Sequence, residues 1–261
     1  DAENPEEAVK IYRELKSSEG VTNIYPKTKH QLLSIAATPD YTNLQGYLYS
    51  ESTTGGMNAQ AAWAAGVRGE GVILVDAEYA WNLNHEDLAL NSLTGATMCT
   101  PDYPGCMDSF NHGTALTSVM AGIDNGHGVT GFAPGAEVYA FEDVPGPYQF
   151  DGVGDNLWEE IPPGSIVSIA LGVLGRLQNG TTGNTYGQLP IEAVYFDDIQ
   201  TATAAGVTIV VGAGNGSISL DDPNAYYPGQ HVINSQNDSG SILVGASFGN
   251  VGGTQYASRP G

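Results

Sequence analysis

The sequence predicts an α/β fold built on a mostly parallel β-sheet that is covered by helices on both faces. Short apolar runs rich in β-branched residues recur between residues 71 and 247, and segments of helical composition separate them. The runs are apolar at consecutive positions, as expected for strands that are buried on both faces of a sheet. Since parallel neighbours need crossover connections, this alternation of strands and helices indicates an α/β architecture.

The N-terminal sequence predicts a helix over residues 5–18. Asn4 is a suitable N-cap, and Pro5 fits the first helical position because it has no N–H to leave unpaired. The composition becomes loop-like after this helix, and the regular pattern of strands starts later. We therefore expect an N-terminal extension over residues 1–55 and one main domain over residues 56–261.

The sequence of the main domain predicts a regular order of helices and strands. A short alanine-rich helix precedes the first strand, a helix of small residues (GTALTSVMAG) follows it, and another helix lies at roughly 191–205. The five predicted strands, in chain order, are GVILVD, AEVYAFEDV, GSIVSIALGV, GVTIVVGAGN and SILVGAS. In sheets of this kind, functional side chains lie at the carboxyl ends of the strands.

The charge balance excludes two classes of partner. The 261 residues include 8 Lys and Arg against 29 Asp and Glu, which gives a formal net charge of −21. Nucleic acids and anionic membrane surfaces bind clustered cations, so we expect neither as a partner. No apolar run approaches the ~18 residues of a transmembrane helix. The acidic start, Asp1-Ala2-Glu3, is unlike a signal peptide.

The two cysteines flank a short loop. Cys99 and Cys106 enclose TPDYPG, whose prolines and glycine favour a tight turn. A local disulfide is the favoured interpretation, and it implies an oxidising compartment. Two free thiols are the alternative. Without a neighbouring His or a further Cys, the pair does not form a zinc site.

Three polar residues lie where functional groups are expected. Asp76 ends the first predicted strand, His112 opens the helix of small residues, and Asn215 follows the fourth strand within GAGNG. Each has an alternative interpretation. Asp76 could be a helix cap or a ribose-binding acid, His112 could be a capping residue, and the glycines around Asn215 could form a tight turn. Dinucleotide or P-loop binding is disfavoured, because GVRGEG precedes a strand, GAGNGS lacks the third glycine, and no GKS or GKT occurs.

The order of several segments resembles the subtilisin-like serine proteases over about residues 57–261. The segments are VDAEYAWNLNHEDL, NHGTALTSVMAG, GVTGFAPG, SIALG, VVGAGNG, YYPG and ILVGAS. The likeness is greatest to the bacterial secreted members of that family. It implies a three-layer subtilisin-like fold, hydrolysis of polypeptide substrates through an acyl-enzyme, a secreted or extracellular location, and no cofactor for the chemistry.

The same resemblance implies a role for individual residues. Asp76 matches the triad aspartate that orients the histidine, His112 matches the general acid and base, and Asn215 matches the oxyanion donor. The edge segment that pairs with the substrate backbone is matched by Ala170, Leu171 and Gly172. The wall and floor of the primary specificity pocket are matched by Gly212, Ala213 and Gly214.

The family's third triad residue, a serine within Gly-Thr-Ser, has no counterpart in the sequence. We expect this serine on a missing C-terminal segment or on a separate chain produced by cleavage after Gly261. The alternative function is that of a pseudoprotease or a non-catalytic subunit that binds peptides through the same edge segment. Ser241 and Ser258 lie in the wrong context and are not candidates for the nucleophile.

The loop AGIDNGHGVTG resembles the family's calcium-binding loop. The implied ligands are the side chains of Asp87 and Asn125 with the carbonyl groups of Ile123, His127 and Val129. Calcium takes oxygen ligands of this mixture. A plain Asn-Gly turn without a metal is the alternative.

The N-terminal extension carries a second, shorter likeness. Its helix and the following VTNIYPK are similar to the end of a subtilase propeptide. A docked N-terminal arm is an equally consistent interpretation.

Overall fold

The structure, a computed structural model, describes residues 5–20, 38–92, 106–142, 161–176, 184–188, 190, 192–215, 230, 232–234 and 236–245. The chain divides into two compact units, Asp1–Ala37 and Thr38–Gly261. Residues 38–55 therefore belong with the second unit, and the boundary falls earlier than the predicted one at residue 55. Among the described residues, no helix combines the length and the apolar character that a membrane crossing requires.

In the first unit, the structure describes one helix, α1 (Pro5–Lys16). Its first turn contains Glu6 and Glu7, and its last turn contains Arg13 and Lys16. This placement of charge complements the helix dipole at both ends. The helix predicted over residues 5–18 is confirmed, with its end at Lys16.

The second unit contains eight described strands. A six-stranded sheet has the order β2-β3-β1-β4-β7-β8 with every neighbouring pair parallel, and β5 and β6 form a separate antiparallel pair. The strands are β1 (Ile73–Glu78), β2 (Leu90–Ser92), β3 (Glu137–Glu142), β4 (Ile166–Ile169), β5 (Gly172–Arg176), β6 (Asn184–Gln188), β7 (Thr208–Gly212) and β8 (Ile242–Val244).

The predicted α/β fold with a mostly parallel sheet is confirmed. Each predicted strand has an observed counterpart, but the third one, GSIVSIALGV, is divided into β4 and β5. The short β2 has no counterpart among the predicted strands. Three residues are too few to show a period, which explains the omission.

The described helices of the second unit follow the expected order. They are α2 (Glu51–Thr54), α3 (Ala59–Ala64), α4 (Cys106–Ala121) and α5 (Ala193–Ala204). Helix α4 begins seven residues before the predicted GTALTSVMAG segment. His112 therefore lies inside the helix, in its second turn.

Residues 38–48 join the second unit through backbone and side-chain contacts. Asp40 forms a bridge with Gly128. The side-chain amide of Gln45 donates to the carbonyl of Thr130 at 2.8 Å and accepts from its N–H at 2.9 Å. Leu48 is fully buried. These contacts explain why the boundary of the unit lies at residue 38.

The central strands and α5 share one hydrophobic core. It includes Val75 and Ala77 of β1, Val167 and Ile169 of β4, Ile209 and Val211 of β7, and Ile199 and Ala202 of α5. Strand β1 lies between β3 and β4, so its side chains are shielded from water. A charged side chain on β1 must therefore find a partner inside the protein.

Candidate active site

A cleft of about 660 Å³ lies where the central strands end. His112 of α4 and Asn215 line it, together with residues 170–172 at the start of β5 and residues 212–214 at the end of β7. The structure thus brings these predicted catalytic and substrate-binding residues to one cleft. Asp76 does not line it and lies deeper in β1.

The acidic side chain beside His112 is Glu78, the last residue of β1. Nδ1 of His112 lies 3.0 Å from Oε1 of Glu78. The Glu78 side chain is 1% exposed, whereas that of His112 is 52% exposed. The pair therefore places a buried carboxylate behind an accessible imidazole.

The assignment of Asp76 as the acid that orients His112 is corrected by this contact. Oδ2 of Asp76 instead accepts hydrogen bonds from Nε1 of Trp81 at 3.0 Å and from Oγ1 of Thr117 at 2.6 Å. Side chains two residues apart lie on the same face of a strand, so Glu78 lies on the same face as Asp76 but nearer the strand's carboxyl end. The predicted strand ended at Asp76, whereas β1 continues to Glu78.

Burial and the mutual contact set the pKa values of the three groups. Burial raises the pKa of Glu78, and His112 partly offsets this. The hydrogen bond with Glu78 raises the pKa of His112, and burial opposes it. Burial raises the pKa of Asp76 to about 7, although both of its hydrogen bonds lower it. A histidine paired with a buried acid is the arrangement that general-base chemistry uses.

The cleft is also lined by residues that the sequence analysis did not identify. They are Glu78, Tyr79, Asp108, Ser109, Val244 and Gly245. Helical spacing could have identified two of them, because positions four and three residues before His112 share its face of α4. Strand spacing could likewise have identified Glu78, which follows Asp76 by two positions.

The predicted calcium ligands are arranged as hydrogen-bond partners of one another. Oδ1 of Asp87 accepts from the Asn125 side chain at 3.1 Å, and Oδ2 accepts from the N–H of Val129 at 2.9 Å. Oδ1 of Asn125 accepts from the N–H of His127 at 3.1 Å, and the carbonyl of Ile123 accepts from the N–H of Asn125. Three of the five predicted ligand oxygens therefore accept from N–H groups, which disfavours a calcium ion in this arrangement, and calcium binding stays a prediction of the resemblance.

The interior of this loop is filled by the Asp87 carboxylate. A Cβ atom added to Gly128 would overlap both carboxylate oxygens of Asp87, which shows how closely the backbone wraps them. Glu86, Asp87 and His127 each bring one ligand atom within 4.8 Å of the others. That set includes an imidazole nitrogen and differs from the all-oxygen set that the resemblance implies.

The predicted disulfide lies outside the described residues, because Cys99 is not among them. Cys106 begins α4, and its backbone alone is described. The pairing of the two cysteines therefore stays a prediction.

Comparison with known proteins agrees with this geometry. A family model described as the subtilase family matches residues 83–252. Subtilisin BL of Lederbergia lenta is 30% identical over 173 residues, which cover 65% of this chain and 58% of that protein. Subtilisin NAT of Bacillus subtilis subsp. natto is 26% identical over 223 residues, which cover 82% and 53%. The chain spans a little over half the length of these curated relatives.

Among solved structures, a protease from Pseudoalteromonas arctica PAMC 21717 shares the fold. It superimposes with a TM-score of 0.53 at 20% sequence identity and covers 81% of this chain and 66% of that chain. The family match begins after β1, so it includes neither Asp76 nor Glu78. The identity of the acid beside His112 therefore rests on its contact with Glu78 in the structure. The match over more than half of the chain, on this fold, shows that the chain belongs to the subtilase family.

Proposed function

We propose that the whole protein is a serine endopeptidase that hydrolyses polypeptides through an acyl-enzyme. The observation that carries this proposal is the contact between Glu78 and His112 in a cleft that Asn215 also lines. Family membership supports the same reaction class. The activity is proposed for the whole protein, because this chain spans only part of the length of its curated relatives.

His112 acts as general base and then as general acid. Its contact with Glu78 is made through Nδ1, which leaves Nε2 free to take the proton of the nucleophilic hydroxyl group. The same nitrogen then returns the proton to the leaving amine. Glu78 holds the imidazole in this tautomer and stabilises the imidazolium that forms, the task that an aspartate performs in the usual triad.

Asn215 supplies a side-chain N–H to the oxyanion of the tetrahedral intermediate. It follows β7 and lines the same cleft as His112. A donor of this kind is worth about 2.7–4 kcal/mol of transition-state stabilisation, and the value comes from a subtilisin.

Two backbone segments bind the substrate. Residues 170–172 join β4 to β5 and line the cleft, where an extended peptide can pair with them as an added strand. Gly214 has φ +91°, a conformation that L-residues with side chains rarely adopt. A Cβ at Gly212 would meet nothing within 4 Å. A side chain there would extend into open space and reduce the room for the substrate side chain.

The nucleophilic serine is proposed to lie outside this chain's sequence, on a further segment of the whole protein or on a second chain. This proposal is supported by the missing Gly-Thr-Ser motif. Among the described residues, Ser241 is hydrogen-bonded to Ser239 at 2.9 Å and does not line the cleft. An extracellular location is proposed as well, and the two closely spaced cysteines support it.

The test is mass spectrometry of the whole protein, purified from its source, after reaction with a fluorophosphonate serine probe. We expect the adduct on a peptide outside this chain, and no adduct when His112 is replaced by alanine. Turnover of a fluorogenic peptide should be lost in the same variant. An unlabelled protein that still binds peptides would overturn the proposal in favour of a non-catalytic peptide-binding subunit.

A further inference from the structure

We propose that Asp76 is a positioning residue for the Glu78–His112 pair, because its buried carboxyl group ties the strand that carries Glu78 to the helix that carries His112. The inference rests on the proposed function and deepens it. It assigns a task to a second acid that the chemistry does not use directly.

The first connection runs from β1 to α4. Asp76 lies two residues before Glu78, and Thr117 lies five residues after His112 on α4. Oγ1 of Thr117 is 2.6 Å from Oδ2 of Asp76, and both residues are fully buried. A short hydrogen bond to a buried carboxyl group fixes the spacing between strand and helix more closely than apolar packing does.

The second connection runs from β1 to the segment that follows it. Nε1 of Trp81 donates to the same oxygen of Asp76 at 3.0 Å, and the indole is fully buried. The indole also lies directly against α4, since a Cβ added to Gly113 would be 3.1 Å from Nε1 of Trp81. One carboxylate oxygen therefore holds the end of β1, the following segment and α4 together, next to the residue after His112.

Burial of the Asp76 carboxyl group lowers the stability of the folded protein. Among the described residues, Oδ1 of Asp76 has no hydrogen-bond partner, and burial of a carboxyl group with an unsatisfied oxygen destabilises a protein. An apolar side chain of similar volume would avoid this cost. Stability alone therefore does not account for an acid here, whereas alignment of the strand end with the helix does.

Among the described residues, two titratable groups act on the pKa of Asp76. They are Glu78 on its own strand, whose charge raises the pKa of Asp76, and His112 on α4, whose charge lowers it. The neighbours in register on the two flanking strands are Ala140 and Ser168, which do not titrate. The charge of Asp76 in turn raises the pKa of His112, although less than the contact with Glu78 does. The imidazole of His112 therefore reports on the whole arrangement.

The experiment is an NMR titration of the His112 imidazole in the whole protein. Thr117→Val removes the hydroxyl donor, Asp76→Asn removes the charge, and Thr117→Ser keeps the hydroxyl group. We expect Thr117→Val and Asp76→Asn each to lower the pKa of His112 by about 0.5 or more, because the support from Glu78 weakens. Thr117→Ser should restore the wild-type value. Ser118→Ala is the matched control, since that hydroxyl donates to the carbonyl of Thr114.

The same changes in a Glu78→Gln background separate positioning from direct charge. If Asp76 acts by placing Glu78 against His112, Asp76→Asn and Thr117→Val should matter less once Glu78 is replaced. In the Glu78→Gln background, each should lower the pKa of His112 by less than half as much as in the wild-type background. An equal shift in both backgrounds would overturn the proposal, because the charge of Asp76 would then act through space alone. An unchanged titration in folded Thr117→Val would overturn it as well, and this variant decides the question if Asp76→Asn does not fold. The titration needs no substrate, so a failure to hydrolyse peptides would reject the proposed function without affecting this result.

Discussion

Two acidic residues, Asp76 and Glu78, lie on the same face of one strand, yet their surroundings give them different tasks. Glu78 is 3.0 Å from the imidazole of His112, whereas Asp76 accepts hydrogen bonds from an indole and a hydroxyl group. Of these two acids, only Glu78 can stabilise the imidazolium of His112 by direct contact. The roles of the two acids can therefore be separated by amide substitutions that keep the shape of each side chain.

Glu78→Gln in the whole protein should lower kcat by about 10³–10⁴-fold, because an amide neither stabilises the imidazolium nor fixes the reactive tautomer. KM should change little, and steady-state hydrolysis of a fluorogenic peptide measures both. Glu86→Gln is the control, since that side chain is exposed and does not line the active-site cleft. Full activity of Glu78→Gln would remove Glu78 from the mechanism.

Asp76 should give the protein a distinctive dependence of stability on pH. Its pKa is raised from 3.8 to about 7 in the folded state, so between these values the folded protein keeps a proton that the unfolded chain releases. This contribution to the free energy of unfolding is greatest below about pH 4 and is lost as the pH rises through about 7. At about 1.4 kcal/mol per pKa unit, its upper limit is about 4 kcal/mol.

Urea unfolding of the wild type and of Asp76→Asn from pH 4 to pH 8 measures that contribution. The wild type should lose stability relative to the variant as the pH rises through about 7, and the loss should level off towards pH 8. A constant difference across this range would mean that Asp76 titrates alike in the folded and unfolded states.

At the scale of elements, the contact between α4 and the segment after β1 depends on one glycine. A Cβ at Gly113 would overlap the carbonyl oxygen of Ala80 and press on the indole of Trp81. Helix propensity favours alanine over glycine by about 1 kcal/mol. Gly113→Ala should nevertheless destabilise the protein by about 1–3 kcal/mol, because the overlap forces the helix away from β1.

Urea unfolding measures the effect of Gly113→Ala. Ala115→Gly on the same helix is the control, since this exposed position should cost about 1 kcal/mol through propensity alone. Stabilisation of Gly113→Ala would show that α4 is free to move outward without loss.

The loop around Asp87 makes a second prediction at this scale. Asp87 is 2% exposed, and its two carboxylate oxygens accept from Asn125 and Val129. Asp87→Asn places an amide N–H₂ against these donors and should cost about 2–3 kcal/mol. Glu86→Gln, on the exposed neighbour, should cost little. A chelator should leave the wild-type Tm unchanged, and a chelator-induced fall in Tm would instead support a bound calcium ion.

At the scale of the whole molecule, the sequence predicted the order of the elements better than the contacts between them. The apolar runs predicted the parallel strands, and the residues at their ends, His112 and Asn215, do meet in one cleft. The choice between Asp76 and Glu78 could not be made in this way, because both lie on one face of β1. Which acid reaches His112 depends on where α4 crosses the strand, and that is a property of tertiary packing.

Net charge is a property of the whole molecule that should affect the choice of substrate. The chain has a formal charge of −21, and the exposed Asp108 lines the cleft beside His112. A field of this sign attracts cationic peptides and raises their association rate, but salt screens it. The screening length falls from about 30 Å at 0.01 M salt to about 8 Å at 0.15 M. The preference for cationic peptides should therefore be largest at low ionic strength.

Three peptides that differ only in a flanking Lys, Gln or Glu test this prediction through kcat/KM over that salt range. The lysine peptide should lose kcat/KM as salt is added, the glutamate peptide should gain, and the glutamine peptide should stay nearly constant. Asp108→Asn separates the local charge from the overall field, because it removes one negative charge of the cleft and leaves the rest of the acidic surface unchanged. If most of the salt dependence survives in this variant, the field of the whole molecule guides the substrate. Parallel salt responses of all three peptides would show that charge does not guide it.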